Sequence, residues 1–276
     1  MSDWIPGPAW LFCPADRPDR YAKALSAADV VILDLEDAVA PAHRTDARQA
    51  LRHLSDDGQL DLERTVARIN GGDTLDHAAD LTAVTAAGIR RVMLAKSEDP
   101  EHLRSIEAEV LVLVETPRGI EHVGRLAEQS NVVAVMWGAD DLIAGLGGTA
   151  SRYDDGRYRD VTHYARSRAV IAAKAHGRIA LDGVHMDIAD TDGLRAECTD
   201  AVAVGFDATV AIHPSQIAVI RAAYTPTPER VDWARRLLAQ VGDDRGVTTF
   251  EGRMVDGPIF KQAERVLRLV TSTGGH

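Results

Sequence analysis

Short apolar runs recur along the chain, with longer amphipathic stretches between them. Eight runs have the length and the β-branched content of buried strands: Trp10–Cys13, Val30–Leu35, Thr65–Ile69, Arg91–Leu94, Val110–Val114, Val132–Trp137, Arg178–Leu181 and Thr209–Ile212. The stretches between them have helical spacing, and Gly205 is placed to end the helix before the eighth run. Strands that are apolar throughout and alternate with helices are typical of parallel α/β folds. Eight repeats favour a (β/α)8 TIM barrel over an open doubly wound sheet.

The chain continues beyond the eighth run for longer than one closing helix requires. We predict helices at Val231–Val241 and Lys261–Val270, separated by a glycine-rich loop at Phe250–Pro258. The predicted organisation is a TIM-barrel catalytic domain at residues 1–222 and a C-terminal helical extension at residues 223–276. We expect the extension to act as a lid that packs on a barrel mouth, that of a neighbouring subunit.

Length, net charge and cysteine content limit the classes of protein to which the chain can belong. The 276 residues suit one barrel, and the formal net charge of -11 argues against a nucleic-acid or membrane partner. Cys13 and Cys198 are far apart in no metal spacing, so we expect reduced thiols. We see no signal-peptide pattern, and no apolar run approaches the ~20 residues that span a bilayer. These features predict a cytoplasmic protein.

Two carboxylates follow neighbouring apolar runs. Glu115 comes directly after Val110–Val114, and Asp141 lies just beyond Val132–Trp137. In a barrel both would lie at the carboxyl-terminal mouth, where active sites are found. Two oxygen ligands with room for waters and substrate suit Mg²⁺, with Asp140 competing for the role of Asp141. The simpler alternative is a pair of helix caps.

Other polar groups are predicted to reach the same mouth. Glu36 and Asp37 follow the second run, where adjacent acids need a cation nearby or serve as an acidic cap. Arg68, in the third run, is either a structural ion pair or a clamp for a substrate carboxylate. Gly138 to Asp141 offer free backbone N–H groups at a predicted helix start.

The first loop and two histidines remain open between binding and structural roles. Arg17, Arg20 and Lys23 follow the first run and either meet phosphates or form a solvated helix face. His185 and His213 follow the last two runs, and we expect both to support the fold rather than transfer protons.

Seven motifs occur in the order of a known superfamily: Leu11–Pro18, Leu33–Val39, Arg68–Asn70, Glu115–Gly119, Gly138–Leu142, Ile212–Gln216 and Met254–Pro258. On these motifs the chain resembles, over nearly its whole length, the CitE-like group. This citrate lyase beta-subunit-like group belongs to the HpcH/HpaI aldolase and malyl-CoA lyase superfamily. The resemblance implies a lyase active as a homotrimer or a dimer of trimers.

The resemblance also assigns roles to the barrel residues. Glu115 and Asp141 match Mg²⁺ ligands, with Mn²⁺ as a substitute, and Arg68 matches the arginine that holds the ketoacid. Glu36 and Asp37 match acids that bind metal waters and orient Arg68. The backbone N–H groups of Gly138, Ala139, Asp140 and Asp141 match a cradle for the ketoacid carboxylate.

Further roles implied by the resemblance lie at the two ends of the chain. Arg17, Arg20 and Lys23 fall where the family contacts coenzyme A. Asp256 matches an aspartate that enters a neighbouring subunit's active site as an acid or base.

The expected activity is Mg²⁺-dependent cleavage or formation of a carboxylated 3-hydroxyacyl-CoA of the citramalyl-CoA, malyl-CoA or hydroxymethylglutaryl-CoA type. The products would be an acyl-CoA such as acetyl-CoA and a 2-oxoacid. Three alternatives stay open: a CoA-independent type II aldolase, a citrate lyase beta subunit acting on a carrier-bound citryl thioester, and a barrel without chemistry. The basic loop and the C-terminal extension argue against the first, and the intact acidic and basic set against the third.

Overall fold

Eight parallel strands close into a barrel in the computed structural model, which describes residues 4, 6–242 and 246–273. The strands are β1 Ala9–Pro14, β2 Val30–Asp34, β3 Thr65–Ile69, β4 Arg91–Leu94, β5 Glu109–Val114, β6 Val132–Trp137, β7 Ile179–Asp182 and β8 Ala208–Ala211. Each strand pairs with the next, and β8 closes the ring on β1 through the register Ala9↔Thr209. The TIM-barrel prediction is confirmed, with strand bounds close to those read from the apolar runs.

Helices connect the strands and cover the outside of the barrel. They are α1 Tyr21–Ala27, α2 Arg44–Asp56, α3 His77–Ala86, α4 Pro100–Arg104, α5 Pro117–Ala127, α6 Asp140–Gly145, α7 Asp160–Ala175, α8 Thr191–Val204 and α9 Ile217–Tyr224. Local sequence sets several of their ends: Thr116 caps α5 by accepting a hydrogen bond from the Gly119 N–H at 3.0 Å. Gly205, at φ 106°, ends α8 in the left-handed conformation, as predicted. No described helix is long and apolar enough to cross a membrane.

The interior of the barrel is a packed apolar core. Alternate residues of the strands fill it, including Trp10, Ile32, Leu111, Met136 and Val210, all almost completely buried. Such a core leaves no space for substrate along the barrel axis. Polar chemistry is therefore confined to the ends of the strands, where the loops begin.

The chain divides into two compact units, Met1–Ile220 and Arg221–His276. The second unit holds α10 Pro228–Val241, the hairpin β9 Thr248–Phe250 and β10 Arg253–Val255, and α11 Gly257–Thr273. It has its own core, which includes Leu237, Phe250 and Phe260. Residues 243–245 and 274–276 of the predicted extension, and residues 1–3 and 5 of the predicted barrel domain, lie outside the described residues. The lid role stays a prediction.

The predicted loop Phe250–Pro258 is wrong. Its first part is the turn of a β-hairpin, in which Phe250 pairs with Arg253. Glu251 and Gly252 have φ values of 49° and 75°, the positive pair that a two-residue turn between twisted strands requires. Helix α11 then begins at Gly257, before the predicted start at Lys261.

Both cysteines are buried and free. Burial, the largest cause in each case, raises the pKa of the Cys13 thiol to about 11 and that of Cys198 to about 12. Neither thiol is therefore activated as a nucleophile near neutral pH.

Candidate active site

Charged side chains from five consecutive strands meet at the carboxyl-terminal mouth of the barrel. Glu36 follows β2, Arg68 lies in β3, Lys96 follows β4, Glu115 follows β5, and Asp141 lies in the first turn of α6 after β6. Parallel strands bring their carboxyl ends to one side of the sheet, so residues far apart in sequence become neighbours here.

A cavity of about 170 Å³ lies at this mouth. Its charged lining includes Arg68, Glu115, Asp140, Asp141 and Arg152. Phe12, Leu113, Met136, Trp137 and Tyr158 supply apolar and aromatic walls. A small cavity with a few convergent charged groups is typical of a site that binds a compact anionic substrate.

Arg68 is locked in place by two carboxylates. Its Nε and Nη2 donate to Asp34 at 2.7 and 2.5 Å, and its Nη1 lies 3.2 Å from the Glu36 carboxylate. The guanidinium also stacks 4.6 Å from the centre of the Phe12 ring. Burial alone would lower the pKa of Arg68, but the charges of Asp34 and Glu36 raise it above its ordinary value. Arg68 therefore presents a fixed positive group to the cavity.

The two acids expected to orient Arg68 behave differently. Glu36 is buried and contacts Arg68, whereas the exposed Asp37 lies 3.7 Å from the Lys96 ammonium and has no contact with Arg68 among the described interactions. Asp34 takes the place expected for Asp37, because it ends β2 and faces the neighbouring β3. Asp34 could not be identified from the sequence, since it sits inside an apolar run.

Lys96 is a second residue that sequence reasoning missed. Its ammonium pairs with Glu36 and lies 3.8 Å from the Asp141 carboxylate, and its backbone N–H donates to Glu115 at 3.0 Å. Burial would lower the pKa of Lys96, but its hydrogen bond to Glu36 and the charges of the surrounding acids raise it. Its position just after the fourth apolar run was the available signal.

Glu115 and Asp141 form the carboxylate pair that was expected to hold a metal. Glu115 is 3 % exposed, and burial, followed by the charge of Asp141, raises its pKa to about 8. The two carboxylates thus offer two oxygen ligands, and the neighbouring cations do not fully compensate their negative charge. A divalent cation fits this position. The described residues contain no group of three or more such ligands, so water and substrate would supply the remaining positions.

Asp140 and Asp141 have separate partners, although they are adjacent. The Asp140 carboxylate accepts a hydrogen bond from the Ser151 hydroxyl at 2.6 Å, whereas Asp141 faces Lys96. Asp140 is therefore engaged with the following loop, and this geometry favours Asp141 as the metal ligand.

The predicted backbone cradle is smaller than expected. The Gly138 N–H donates to the Val114 carbonyl at 3.1 Å and is not available to a substrate. Ala139, Asp140 and Asp141 stand at the start of α6, where helical N–H groups have no intrahelical partner. Gly138 contributes by lacking a side chain: a Cβ there would lie 2.8 Å from the Glu115 Oε2.

Replacing Gly138 by alanine should weaken Mg²⁺ binding by about tenfold or more, because the new methyl displaces the Glu115 carboxylate. Calorimetric titration with Mg²⁺ measures this. The matched control is Gly124→Ala in α5, where a Cβ meets nothing within 4 Å. That change should leave Mg²⁺ affinity intact and stabilise the fold by about 0.5–1 kcal/mol. Equal Mg²⁺ affinity in Gly138→Ala would contradict the role of this close approach.

The residues expected to contact coenzyme A lie on the surface of the first loop and helix. Arg17, Arg20 and Lys23 are all exposed, and Arg17 pairs with Asp19 at 3.2 Å. Asp256 belongs to the C-terminal unit, where its carbonyl accepts hydrogen bonds from Ile259 and Phe260 at the start of α11. The coenzyme A contacts of the three basic residues and the acid or base role of Asp256 stay predictions.

Both histidines have structural partners. His185 is buried, with Nδ1 3.0 Å from Glu197, and its carbonyl accepts from Gln216 at 2.8 Å. His213 caps the short 3-10 helix Pro214–Gln216 by accepting from the Ser215 N–H at 3.2 Å. These contacts agree with the expected role in the fold.

A larger groove of about 1190 Å³ lies at the opposite end of the barrel, by the amino ends of β4 to β6. Its lining is mixed, with Leu81, Ile89, Ile106 and Val133 among the apolar side chains. Its Arg178 is engaged with the Ala127 and Gln129 carbonyls. The smaller cavity is the better candidate site, because convergent charge rather than volume marks catalysis.

Comparison with known proteins supports the barrel fold. A family model described as HpcH/HpaI aldolase/citrate lyase matches residues 9–214. A citrate lyase subunit beta-like protein of Mycobacterium tuberculosis is 54% identical over 263 residues, which cover 95% of each chain. A mitochondrial citramalyl-CoA lyase of Rattus norvegicus is 32% identical over 302 residues, with 98% of this chain and 87% of that protein covered. The crystal structure of M. tuberculosis CitE in complex with magnesium, acetoacetate and coenzyme A matches with a TM-score of 0.91 and 53% identity, over 96% of this chain and 98% of that one.

Proposed function

Because the chain belongs to the HpcH/HpaI aldolase/citrate lyase family, we propose that it is a Mg²⁺-dependent carbon–carbon lyase acting on a carboxylated 3-hydroxyacyl-CoA. Substrates of the citramalyl-CoA, malyl-CoA or hydroxymethylglutaryl-CoA type would give an acyl-CoA such as acetyl-CoA and a 2-oxoacid. The observation that carries the proposal is the convergence of Arg68 with the Glu115–Asp141 pair on one cavity. A relative named citramalyl-CoA lyase and a CitE structure with magnesium and coenzyme A support it.

Glu115 and Asp141 would hold the metal. When bound, Mg²⁺ supplies Lewis-acid polarisation of the substrate's hydroxyl and carboxylate oxygens. The remaining positions around two protein oxygens suit a chelating 2-hydroxy acid group and water. Mn²⁺ has the same preference for oxygen ligands and is the expected substitute.

Arg68 would recognise the ketoacid part of the substrate. Asp34 and Glu36 engage three nitrogens of its guanidinium but not all five N–H groups, so donors remain for a substrate oxygen. As the bond between the hydroxyl-bearing carbon and the thioester α-carbon breaks, the hydroxyl oxygen becomes the oxo oxygen of the 2-oxoacid. The fixed charge of Arg68 then stabilises the product without reorganisation.

Cleavage of the substrate requires one base and one acid. A base removes the hydroxyl proton, the electron pair of the broken bond moves to the thioester as an enolate, and an acid returns a proton to its α-carbon. We assign both proton transfers to Asp256 of a neighbouring subunit. Arg17, Arg20 and Lys23 would meet the phosphates of coenzyme A, and the N–H groups of α6 would hold the ketoacid carboxylate.

A screen of the purified protein with Mg²⁺ tests the activity directly. Malyl-CoA, citramalyl-CoA, hydroxymethylglutaryl-CoA and citryl-CoA are supplied in turn, and acyl-CoA and 2-oxoacid products are measured. Turnover of free 2-oxoacids and aldehydes with no activity on any thioester would instead favour a type II aldolase. Activity only on a citryl group carried by an acyl carrier protein would favour the beta-subunit role in the name of the M. tuberculosis relative.

The proposed assembly is a homotrimer or a dimer of trimers. Asp256 lies far beyond β8 along the chain, and this length of chain supports a reach to a neighbouring subunit. A cytoplasmic location agrees with two buried thiols, since free thiols persist where the compartment is reducing.

Replacing Asp256 by alanine should lower the chemical rate by roughly 10²-fold or more, the scale typical of a lost acid or base, and leave Mg²⁺ affinity unchanged. Mixing this variant with Glu115→Ala protein should restore activity if subunits exchange, because some sites would contain both intact groups. Single-turnover rates and calorimetry measure the two effects. A fully active monomer, or no rescue after proven subunit exchange, would contradict the shared site.

A further inference from the structure

Lys96 contacts every carboxylate assigned to the metal and its waters. Its ammonium pairs with Glu36 and lies 3.7 Å from Asp37 and 3.8 Å from Asp141. Its backbone N–H donates to the Glu115 carboxylate at 3.0 Å. One residue after β4 thus connects groups that follow β2, β5 and β6.

The backbone of Lys96 is held firmly. Its φ of 51° lies in the left-handed region, which a lysine adopts only when the surroundings impose it. The flanking residues are pinned to neighbouring strands, with the Ala95 N–H on the Ile69 carbonyl at 3.2 Å and the Ser97 N–H on the Leu113 carbonyl at 3.0 Å. The ammonium, by contrast, sits at the end of a flexible four-carbon chain that is 35% exposed. The main chain is therefore fixed while the charge can move.

The acids at the mouth are divided between two cations, Arg68 and Lys96. Arg68 is held by Asp34 and Glu36, and among the described contacts it reaches neither Asp37 nor Asp141. Among the described contacts of the mouth, the Lys96 ammonium shares Glu36 with Arg68 and is the cation that faces Asp37 and Asp141. A divalent cation bound to Asp141 must share that carboxylate with Lys96 or drive its ammonium away.

We propose that Lys96 is an internal counter-ion whose charge occupies the acidic mouth until Mg²⁺ displaces it from Asp141, so that Lys96 sets how tightly Mg²⁺ binds. This inference rests on the proposed function, because it takes Glu115 and Asp141 as the metal ligands. Lys96 is a positioning residue in this role: its backbone N–H holds Glu115, and its ammonium competes with the metal rather than touching the reacting atoms.

Calorimetric titration with Mg²⁺ of Lys96→Met, Lys96→Arg and wild-type protein tests the inference. Removing the ammonium charge a few ångströms from the metal should tighten Mg²⁺ binding on the order of tenfold or more. In EDTA, Lys96→Met should melt at least about 3 °C below wild type, because the buried Glu36 loses one of its two cations and keeps only Arg68. Mg²⁺ should raise the Tm of this variant more than that of wild type. Lys96→Arg retains the charge and should bind Mg²⁺ about as tightly as wild type.

Lys174→Met is the matched control. Lys174 also pairs with an aspartate, Asp207, and its side chain is 39% exposed against 35% for Lys96, but the pair lies at the amino end of the barrel. This variant loses the same net charge and should leave Mg²⁺ affinity unchanged. An equal gain in affinity for Lys174→Met would overturn the inference, since net charge alone would then explain it.

The titrations distinguish failure of the proposed function from failure of the counter-ion role. Wild-type protein without saturable Mg²⁺ binding would overturn the proposed function itself. Saturable binding in wild type together with unchanged or weaker binding in Lys96→Met would overturn only the counter-ion role. If Lys96→Met does not fold, Lys96→Gln removes the same charge with a shorter polar chain and is read by the same criteria.

Discussion

Glu115→Gln should lose Mg²⁺-dependent turnover by about 10³-fold or more, because one of two protein ligands to the metal is removed. The amide has nearly the shape of the carboxylate and can still accept the Lys96 N–H, so the fold should persist. In EDTA the variant should be as stable as wild type or more stable, because a buried acid with a raised pKa has been replaced by a neutral group. Steady-state kinetics over a range of Mg²⁺ concentrations, with thermal melts in EDTA, measure both effects.

Asp140→Asn is the control for Glu115→Gln. Its amide oxygen can still accept the Ser151 hydroxyl, so activity should fall by less than about tenfold. If Asp140→Asn were the more damaging change, or if Glu115→Gln kept wild-type activity at low Mg²⁺, the ligand assignment would be wrong.

The same carboxyl predicts a dependence of Mg²⁺ binding on pH. With a pKa of about 8 in the metal-free protein, Glu115 must lose a proton when the metal binds. Affinity should therefore rise with pH and fall about tenfold per unit below pH 8. Because the folded pKa exceeds the ordinary value of 4.5, this group favours folding at low pH, and the contribution is lost as pH rises from 4.5 to about 8.

Arg68→Lys should retain the barrel but lose about 10²-fold or more in kcat/KM, because a point charge does not reproduce a planar fork that binds Asp34, Glu36 and substrate together. The free energy of unfolding should fall by about 1–3 kcal/mol, since the buried Asp34 would lose its bidentate side-chain partner and keep the backbone N–H groups of Glu36 and Ala38. Kinetics against the 2-oxoacid in the condensation direction and urea unfolding measure the two losses.

Two companion variants distinguish substrate binding from structural support. Asp34→Asn leaves the guanidinium present but loosely held, so it should be less severe than Arg68→Lys in catalysis. Arg68→Ala should recover part of its activity when free guanidinium is added, because the small cation can enter the vacated place. Near-normal kinetics for Arg68→Lys would reduce Arg68 to a structural ion pair.

Much of the fold and part of the site could be predicted from the sequence, because a barrel places the residue after each apolar strand at one mouth. This rule identified Glu36 and Glu115, which follow β2 and β5, and the barrel prediction placed Arg68 beside them. Asp34 could not be identified by this rule, because it lies within a strand rather than after it. Its pairing with Arg68 depends on the register between β2 and β3, which the sequence does not give.

Lys96 and the C-terminal hairpin were missed for different physical reasons. A lysine in a loop usually extends into solvent, and only the three-dimensional approach of acids from other strands holds Lys96 inward. In the segment Phe250–Pro258, the glycines by themselves predict an irregular loop. The Glu251–Gly252 pair instead forms a tight turn, whose strands have only three residues each.

The closing register of the barrel has a consequence for how the protein folds. Ala9 pairs with Thr209, so the ring is completed only when segments from opposite ends of the barrel domain meet. Closing so long a loop is entropically costly and slow, whereas pairs such as β1 with β2 form from local chain. During synthesis the first seven strands must wait for the eighth to leave the ribosome, with an open edge that is prone to association. Chaperone binding to this nascent intermediate is the expected safeguard.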